Sequence, residues 1–321
     1  MADKKYKTYR QLLNILRSRG MAINTSGQGA RVMRILEQEN YYNVINGYKE
    51  LFIDIPATLT SDEQYKAGTS FDEVYALYQF DRDIRNIYLK YLLKIENSFK
   101  TVISHEFSSK YGHDNYLKLD NFYTHTENDI SSATKLIGDI QQEIARQMSK
   151  HHQVVTHYMT THGYIPLWVL VNVLTFGKIT TFYSCMKPID KTEVAKHFGL
   201  QANELYKYML MLGLARNKCA HDERFYNIKF KQSLHTKSIK NFSSLGVPRQ
   251  ADGSYIAGTN DAYAIAIIFA MLLKKSDLNE FVSAMKSAFL KLDKQLHTIS
   301  IQDVMQSMGF HNSWTNLTSL K

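Results

Sequence analysis

The feature that most constrains the fold is a long run of helical periodicity between Phe71 and Tyr111. Apolar and aromatic residues recur there at steps of three and four, and lysines and arginines occupy the opposite face. Ser70 and Glu73 have the spacing of a capping box, which marks where the helix begins. A straight helix of this length would extend about 60 Å, so we expect a break near residues 81–83.

The whole chain favours helices over strands. Only four prolines and 15 glycines interrupt its 321 residues, and alternating strand patterns are weak throughout. We therefore predict a mainly α fold with a small helical N-terminal region and a larger helical domain, which contains an irregular, basic and then Ser/Gly/Pro-rich insertion that includes a short hairpin. The predicted ranges are 1–66, 67–321 and, for the insertion, 228–260.

The net charge of the chain is +9. Such an excess favours a polyanionic partner, because lysines and arginines that neutralise phosphates release counterions. The alternative is a basic protein without such a partner. The 21 tyrosines and 16 phenylalanines include candidates for base stacking, although most aromatic rings belong in a core.

The sequence also sets expectations about compartment and membranes. Two cysteines, Cys185 and Cys219, provide neither a disulfide framework nor a C-x-x-C motif, as is typical of the reducing cytoplasm. The most apolar stretch, residues 262–273, is shorter than the roughly 20 residues that cross a bilayer. We expect a cytoplasmic protein that does not enter a membrane.

One segment, "LGLARNKCAHDERFYN" from Leu212 to Asn227, combines an apolar helix with crowded polar groups. Arg216 and His221 are five positions apart, so a regular helix turns them about 140° away from each other. They would meet only if the helix loosened near Cys219 or if two copies of the segment met in a dimer. A cation and an imidazole around one phosphate suit metal-free RNA cleavage; a solvated helix end is the simpler alternative.

These residues resemble a known family. "RNKCAHDERFYN" resembles the R-x4-H motif of HEPN ribonucleases in the form found in abortive-infection (AbiD/AbiF-like) proteins. Further landmarks follow in the same order: "LRSRGMAI", "LEQENYYNVINGY", "DRDIRNIYLKYLLKIENSFK", "IPLWVLVNVLTFGKITTFY" and "MGFHNSW". The chain departs from the pattern where Asp222 replaces a second histidine, Tyr226 a tryptophan and His311 a proline.

The resemblance implies a HEPN-type helical bundle that dimerises, so that two motifs form one cleft. In that cleft His221 would be the general acid and base, Arg216 would hold the scissile phosphate, and Asn217 would orient the histidine or a phosphate oxygen. Glu96 would either support Arg216 or His221 or be an ordinary exposed helical residue. Arg224 and Asn227 would either extend the phosphate site or form structural salt bridges. The family further implies an antiviral endoribonuclease toxin that needs no metal or other cofactor, leaves 2′,3′-cyclic phosphate ends, and is restrained by a small noncoding RNA.

Two other functions remain open from the sequence. The same arginine and histidine would serve an RNA-binding protein that forms a complex with a structured noncoding RNA and does not cut it. A DNA-binding regulator built on the N-terminal helices is the third alternative.

Further candidate positions lie outside the R-x4-H segment. "SGQGAR", residues 26–31, indicates a helix N-terminus with Thr25 or Ser26 as its cap, where Arg31 and Arg34 would contact RNA phosphates and Tyr42 would stack on a base. The histidines in "SKHHQVVTHYMTTHG" are spaced by five residues, which does not suit the one-face zinc pattern, so we expect no metal site. Cys219 as a nucleophile beside His221 is disfavoured, because its side chain points elsewhere on a helix.

Overall fold

The mainly α prediction is confirmed by a computed structural model, which describes residues 5–23, 27–58 and 61–320. The expected cap residues Thr25 and Ser26 lie outside these ranges. The helices are α1 (Tyr9–Ser18), α2 (Gln28–Glu39), α3 (Phe71–Tyr111), α4 (Glu127–Ser149), α5 (Gln153–His162), α6 (Leu167–Leu170), α7 (Phe176–Cys185), α8 (Pro188–Lys196), α9 (Ala202–Ala220), α10 (Ala262–Leu272), α11 (Lys275–Asp293) and α12 (Ile301–Ser307). Strands β1 (Ile53–Ile55) and β2 (Gln64–Tyr65) pair in an antiparallel sheet.

Helix α3 forms the axis of the molecule. It begins at the predicted capping box of Ser70 and Glu73 and continues for 41 residues. The expected break near residues 81–83 is wrong, because Asp81 lies inside the helix, fully buried, and pairs with Arg85 one turn later. A charge on the inner face of a helix is tolerated when an opposite charge and hydrogen-bond donors surround it.

The remaining helices pack around α3. Helices α9 and α11 run along it, while α6, α7 and α8 also lie against it. The apolar stripe of α3 meets an aromatic cluster in which Tyr88 contacts Phe225, Phe269 and Phe281 at ring-centroid distances of 4.8, 5.6 and 5.2 Å. This packing fixes α9, and the segment that follows it, against the first half of α3.

The N-terminal region is attached to the start of α3 by several polar contacts. Arg31 of α2 pairs with Asp72, and the Glu39 carboxylate accepts hydrogen bonds from Tyr78 and Arg82 at 2.8 and 2.9 Å. After α2 the chain forms a π-helical turn from Tyr42 to Asn46 and then reaches the small sheet. These contacts place the turn beside the segment that follows α9.

The insertion at 228–260 is irregular, as predicted. Short 3₁₀ turns cover Thr236–Ser238 and Phe242–Leu245. The expected hairpin is reduced to a single antiparallel bridge between Arg249 and Tyr255. Buried apolar side chains, including Phe230, join the insertion to the core.

The C-terminal helices enclose α10, nine of whose 11 residues are buried. Asp261 caps its first turn by accepting hydrogen bonds from the backbone N–H groups of Ala264 and Gly258 at 3.0 and 2.9 Å. Gly309 has a φ of +82°, and a Cβ at that position would lie 2.2 Å from the Asp261 carboxyl group. The glycine of "MGFHNSW" is therefore required by backbone conformation and by close approach. Among the described helices, none combines the length and apolar character needed to cross a membrane.

Candidate functional site

Helix α9 carries the R-x4-H segment and exposes one face. Its buried side packs on α3 and α7. Tyr206, Leu214 and Asn217 are exposed, and Leu210 between them is half-buried. These positions share one face at helical spacing, and that face ends at His221, the exposed C-terminal cap of the helix.

A tight turn ends α9 and sets the position of His221. The backbone N–H of His221 donates to the Asn217 carbonyl at 3.0 Å, and that of Glu223 donates to the Lys218 carbonyl at 3.1 Å. Asp222 between them has a φ of +57°. Asp is one of the few residues with a side chain that adopts this left-handed conformation with modest strain, so it suits this helix end.

A buried network on α3 holds the turn in place. The Asp81 carboxylate accepts hydrogen bonds from the backbone N–H groups of Phe225 and Tyr226 at 3.1 and 2.7 Å. It also accepts one from the Tyr48 hydroxyl at 2.5 Å and pairs with Arg85 at 2.6 Å. Burial beside this carboxylate raises the pKa of Tyr48, so its hydroxyl keeps the proton that it donates.

Arg85 completes the network on the other side of the turn. Its guanidinium binds the Asp222 carboxylate and donates to the Glu223 carbonyl at 3.3 Å. The Tyr48 and Tyr226 rings stack at 5.5 Å. Two of the three positions at which the chain departs from the family pattern, Asp222 and Tyr226, therefore contribute to holding this turn.

His221 lines a cleft of about 720 Å³ between the turn and the N-terminal region. One wall carries His221 with basic and acidic neighbours, which include Lys218, Asp222 and Glu223, and the other carries Tyr42, which is 67% exposed. The pKa of the Glu223 carboxyl is lowered, chiefly by a hydrogen bond from Lys218 and to a smaller degree by the charge of His221. The lining residues are Tyr42, Asn43, Asn46, Gly47, Tyr48, Glu50, Tyr78, Lys218, His221, Asp222, Glu223, Arg224, Asn227, Ile228 and Lys229.

Arg224 and Asn227 join the two walls of the cleft. Arg224 donates to the Gly47 carbonyl at 2.7 Å and approaches Glu50 at 3.4 Å. The Asn227 side-chain amide donates to the Glu50 carboxylate at 3.3 Å. Both residues therefore make the structural contacts that the sequence left as one alternative, and both still face the cleft.

Arg216 lies elsewhere on α9. Its Nε donates to the Glu96 carboxylate at 3.2 Å, and Glu96 also pairs with Lys100 at 2.9 Å. Glu96 is buried on α3 rather than an ordinary exposed helical residue, so it can orient the guanidinium. Arg216 is not among the residues that line the cleft. The helix stays regular through Cys219, and one chain alone does not place Arg216 and His221 in the same cleft.

The remaining predicted positions differ in accessibility. Arg31 is engaged by Asp72, while Arg34 is exposed on α2, the helix that leads into the turn with Tyr42. Of these three residues only Tyr42 lines the cleft. Cys219 is buried, and burial raises the pKa of its thiol to about 12, which leaves almost no thiolate for nucleophilic attack.

No group of three metal-ligating side chains converges within the described ranges. His157 and His162 have their ring centroids 6.0 Å apart and are perpendicular. The histidine-rich stretch therefore forms ring contacts and not a set of metal ligands within the described part of the chain.

Sequence reasoning missed the Asp81, Arg85 and Tyr48 network. One signal was present: Leu77, Asp81, Ile84 and Tyr88 follow steps of four, three and four, so Asp81 falls on the apolar stripe of α3. An acidic residue on such a stripe, with arginine four positions later, indicates a buried pair. Its backbone partners at 225–226 could not be found without the tertiary structure.

Substitution of Asp81 with asparagine should destabilise the protein by about 3 kcal/mol, because Arg85 and the backbone N–H groups of Phe225 and Tyr226 would lose their buried carboxylate partner. Urea unfolding measures this change. Asp83→Asn is the matched control, since Asp83 pairs with Lys291 on the surface at 2.8 Å and should cost under about 1 kcal/mol. Equal effects of the two substitutions would contradict the network.

The sequence model of the Abi-like protein family matches residues 34–227. That range includes the cleft turn, Glu96, Arg216 and His221, and it ends at Asn227. It leaves out Arg31, the insertion and the "MGFHNSW" segment. No curated protein and no solved structure is significantly similar to the chain. The match covers more than half of the sequence, and the name of the family refers to abortive infection. The chain therefore belongs to the Abi-like protein family.

Proposed function

We propose that the protein is an abortive-infection effector that cleaves RNA with an R-x4-H site of the HEPN type and without a metal ion. The observation that carries the proposal is the position of His221. Its imidazole lies exposed at a rigidly held helix end, in the wall of a cleft with Lys218, Arg224 and the exposed ring of Tyr42. This combination provides an acid–base group, cations for phosphate and a ring for a base.

The chemistry requires no group beyond such side chains. A neutral imidazole takes the proton from a ribose 2′-hydroxyl, whose oxygen attacks the adjacent phosphorus. The bond from phosphorus to the 5′-oxygen breaks, and an imidazolium donates a proton to that oxygen. The products carry a 2′,3′-cyclic phosphate and a 5′-hydroxyl. A guanidinium next to the phosphate stabilises the charge that develops on its equatorial oxygens.

A second copy of the chain would supply the guanidinium. In one chain Arg216 points toward Glu96, on the flank of the exposed face of α9, and His221 lies at the end of that face. Leu214 in the middle of the face is 42% exposed. Two such faces packed about a twofold axis would bury these apolar groups and bring one Arg216 toward the other chain's His221. We therefore propose that the active form is a homodimer.

A cleaving enzyme of this kind needs restraint before infection. The net charge of +9 favours a bound polyanion, and the family resemblance points to a small structured noncoding RNA as that polyanion. We propose that such an RNA occupies the cleft walls of Arg224 and Tyr42 and excludes other RNA.

The second candidate is an RNA-binding protein that does not cut. One observation favours it: the Arg216 guanidinium is held by Glu96 and does not line the cleft of its own chain. If no second chain supplies a guanidinium, the cleft retains cations and an aromatic ring for binding but loses its phosphate clamp.

The direct test is RNA cleavage by the wild-type protein with EDTA present. We expect endonucleolytic products whose 2′,3′-cyclic phosphate ends resist ligation until a phosphatase that opens and removes them has acted. Added Mg²⁺ should not raise the rate. Retained RNA binding with no cleavage at any RNA tested would support the binding-only candidate, and cleavage that EDTA abolishes would contradict the metal-independent mechanism.

A further inference from the structure

A second surface carries aromatic side chains that the cleft does not use. It consists of His113, His157, Tyr158, His162, Tyr164 and Trp168, which we call the aromatic ridge. Trp168 is 52% exposed, and the three histidines are exposed as well. The chain has two tryptophans, and the other one, Trp314, is buried. An exposed tryptophan among imidazoles calls for an explanation other than core packing.

The six rings form one continuous series of contacts. The His113 ring lies 6.4 Å from Trp168 and 4.9 Å from Tyr164. Tyr164 lies 6.2 Å from His162, which in turn lies 5.6 Å from Tyr158 and 6.0 Å from His157. The rings are tilted or perpendicular to one another, so none of these pairs is stacked face to face.

The backbone holds the ridge rigidly although its residues come from separate elements. Gly112 ends α3 with a φ of +91°, and Gly163 ends α5 with a φ of +76°. The backbone N–H of Leu167 donates to the His113 carbonyl at 2.9 Å. The hydroxyl of the buried Tyr116 donates to the Ile165 carbonyl at 2.8 Å. These bonds fix the loops that carry His113, Tyr164 and Trp168, so the ridge is preorganised before any ligand arrives.

The ridge lies far from the cleft. Arg85 marks the cleft end of α3 and Tyr111 its other end, and the helix between them extends about 39 Å at 1.5 Å per residue. That length corresponds to roughly 12 stacked nucleotides at 3.4 Å each. A ligand that contacts both places must therefore be a long polymer.

We propose that the aromatic ridge binds unpaired RNA by base stacking and holds the part of an RNA chain that extends beyond the cleft. This inference rests on the proposed function for the nature of the polymer. Exposed aromatic rings stack on bases of any sequence. Three of the six rings are imidazoles and two are phenols, a polar composition that suits base edges and phosphates better than an apolar protein interface.

The neighbouring charges fit the same ligand. Lys150, His151 and His152 precede α5 and are exposed, so the approach to His157 is polar and basic. One carboxylate lies close to the ridge: that of Asp114 is 3.9 Å from the His113 ring. An anionic backbone is thus accommodated along most of the ridge.

The test measures the dissociation constant for an unstructured RNA of about 24 nucleotides, twice the span estimated above. All measurements use the His221→Ala chain with EDTA, so that the RNA stays intact. Trp168→Ala should raise the dissociation constant at least about fivefold, the effect of losing one stacked base. Trp168→Phe should bind almost as tightly as the parent chain. Leu290→Ala is the matched control, because Leu290 is 54% exposed on α11 and should not affect binding.

A second readout is the fluorescence of Trp168 itself, which stacking on bases should quench and which Trp168→Phe should remove. His113→Ala should weaken binding in the same direction as Trp168→Ala, even if one variant folds poorly. Unchanged RNA affinity in both the Trp168→Ala and the His113→Ala chains would overturn the proposal. A change of oligomeric state caused by Trp168→Ala alone would also overturn it, because the ridge would then form contacts between chains.

The outcomes separate the ridge from the cleft. If the wild-type chain cuts RNA and the Trp168 variants bind RNA as tightly as the His221→Ala chain without them, the ridge assignment is wrong and the proposed function stands. If RNA binds with the expected dependence on Trp168 but the wild-type chain cuts nothing, the ridge stands and the catalytic proposal fails. If no RNA binds at all, both fail.

Discussion

Replacement of His221 with alanine is expected to reduce the rate of RNA cleavage by at least about 100-fold, and by up to about 10⁴-fold, while the protein stays folded. The range is the usual contribution of a general acid or base to a reaction that transfers protons. Folding should survive because the His221 side chain is exposed and its backbone N–H, which closes the last turn of α9, remains. Initial rates on one RNA at saturating protein, with EDTA present, measure the effect.

The matched control for this substitution is His105→Ala. His105 is an exposed histidine on α3 and lies outside the cleft, so its loss should leave the cleavage rate and the RNA affinity near wild type. A His221→Ala protein that cuts as fast as the wild type would remove the imidazole from the mechanism. A loss of folding in that variant, seen by circular dichroism, would instead assign His221 a structural role.

Much of the helical fold could be predicted from the sequence because its signals are local. The capping box of Ser70 and Glu73 and the periodicity that follows fix the start and the inner face of α3. The apolar helix expected at the start of the segment from Leu212 to Asn227 is observed as the last part of α9, which extends from Ala202 to Ala220. The break expected in α3 rests on the length of the helix alone. It failed because the partners of Asp81 at residues 225–226 are about 145 positions away in the sequence.

The candidate site, like the fold, was predictable from the sequence where it depends on local helix geometry and not where it depends on long-range contacts. Helix geometry alone separates Arg216 from His221 by about 140°, and the structure keeps α9 regular through that interval. The sequence could not show that Asp222 binds Arg85, because that contact joins α3 to a left-handed residue after α9. Nor could the sequence show that Arg224 donates a hydrogen bond to the Gly47 carbonyl in the N-terminal region. Such long-range contacts decide which polar side chains of a motif remain available to a ligand.

The homodimer makes the sharpest prediction, because each active site would combine Arg216 of one chain with His221 of the other. Arg216→Ala and His221→Ala chains should each be nearly inactive alone, at or below about 1% of wild type. After the two are unfolded together and refolded as an equal mixture, about half of the dimers are mixed. One of the two sites in a mixed dimer keeps both residues. The mixture should therefore recover about a quarter of the wild-type rate.

This recovery separates the two arrangements of the site. If Arg216 and His221 of the same chain acted together, every site in the mixture would lack one of them, and the activity would stay near that of the single variants. The control mixture combines Arg216→Ala with the double variant Arg216→Ala/His221→Ala, in which neither arrangement can form an intact site. A quarter of the activity in the first mixture and none in the second would establish that the motif works between chains. The Glu96 contact would then act to hold each guanidinium ready for its partner.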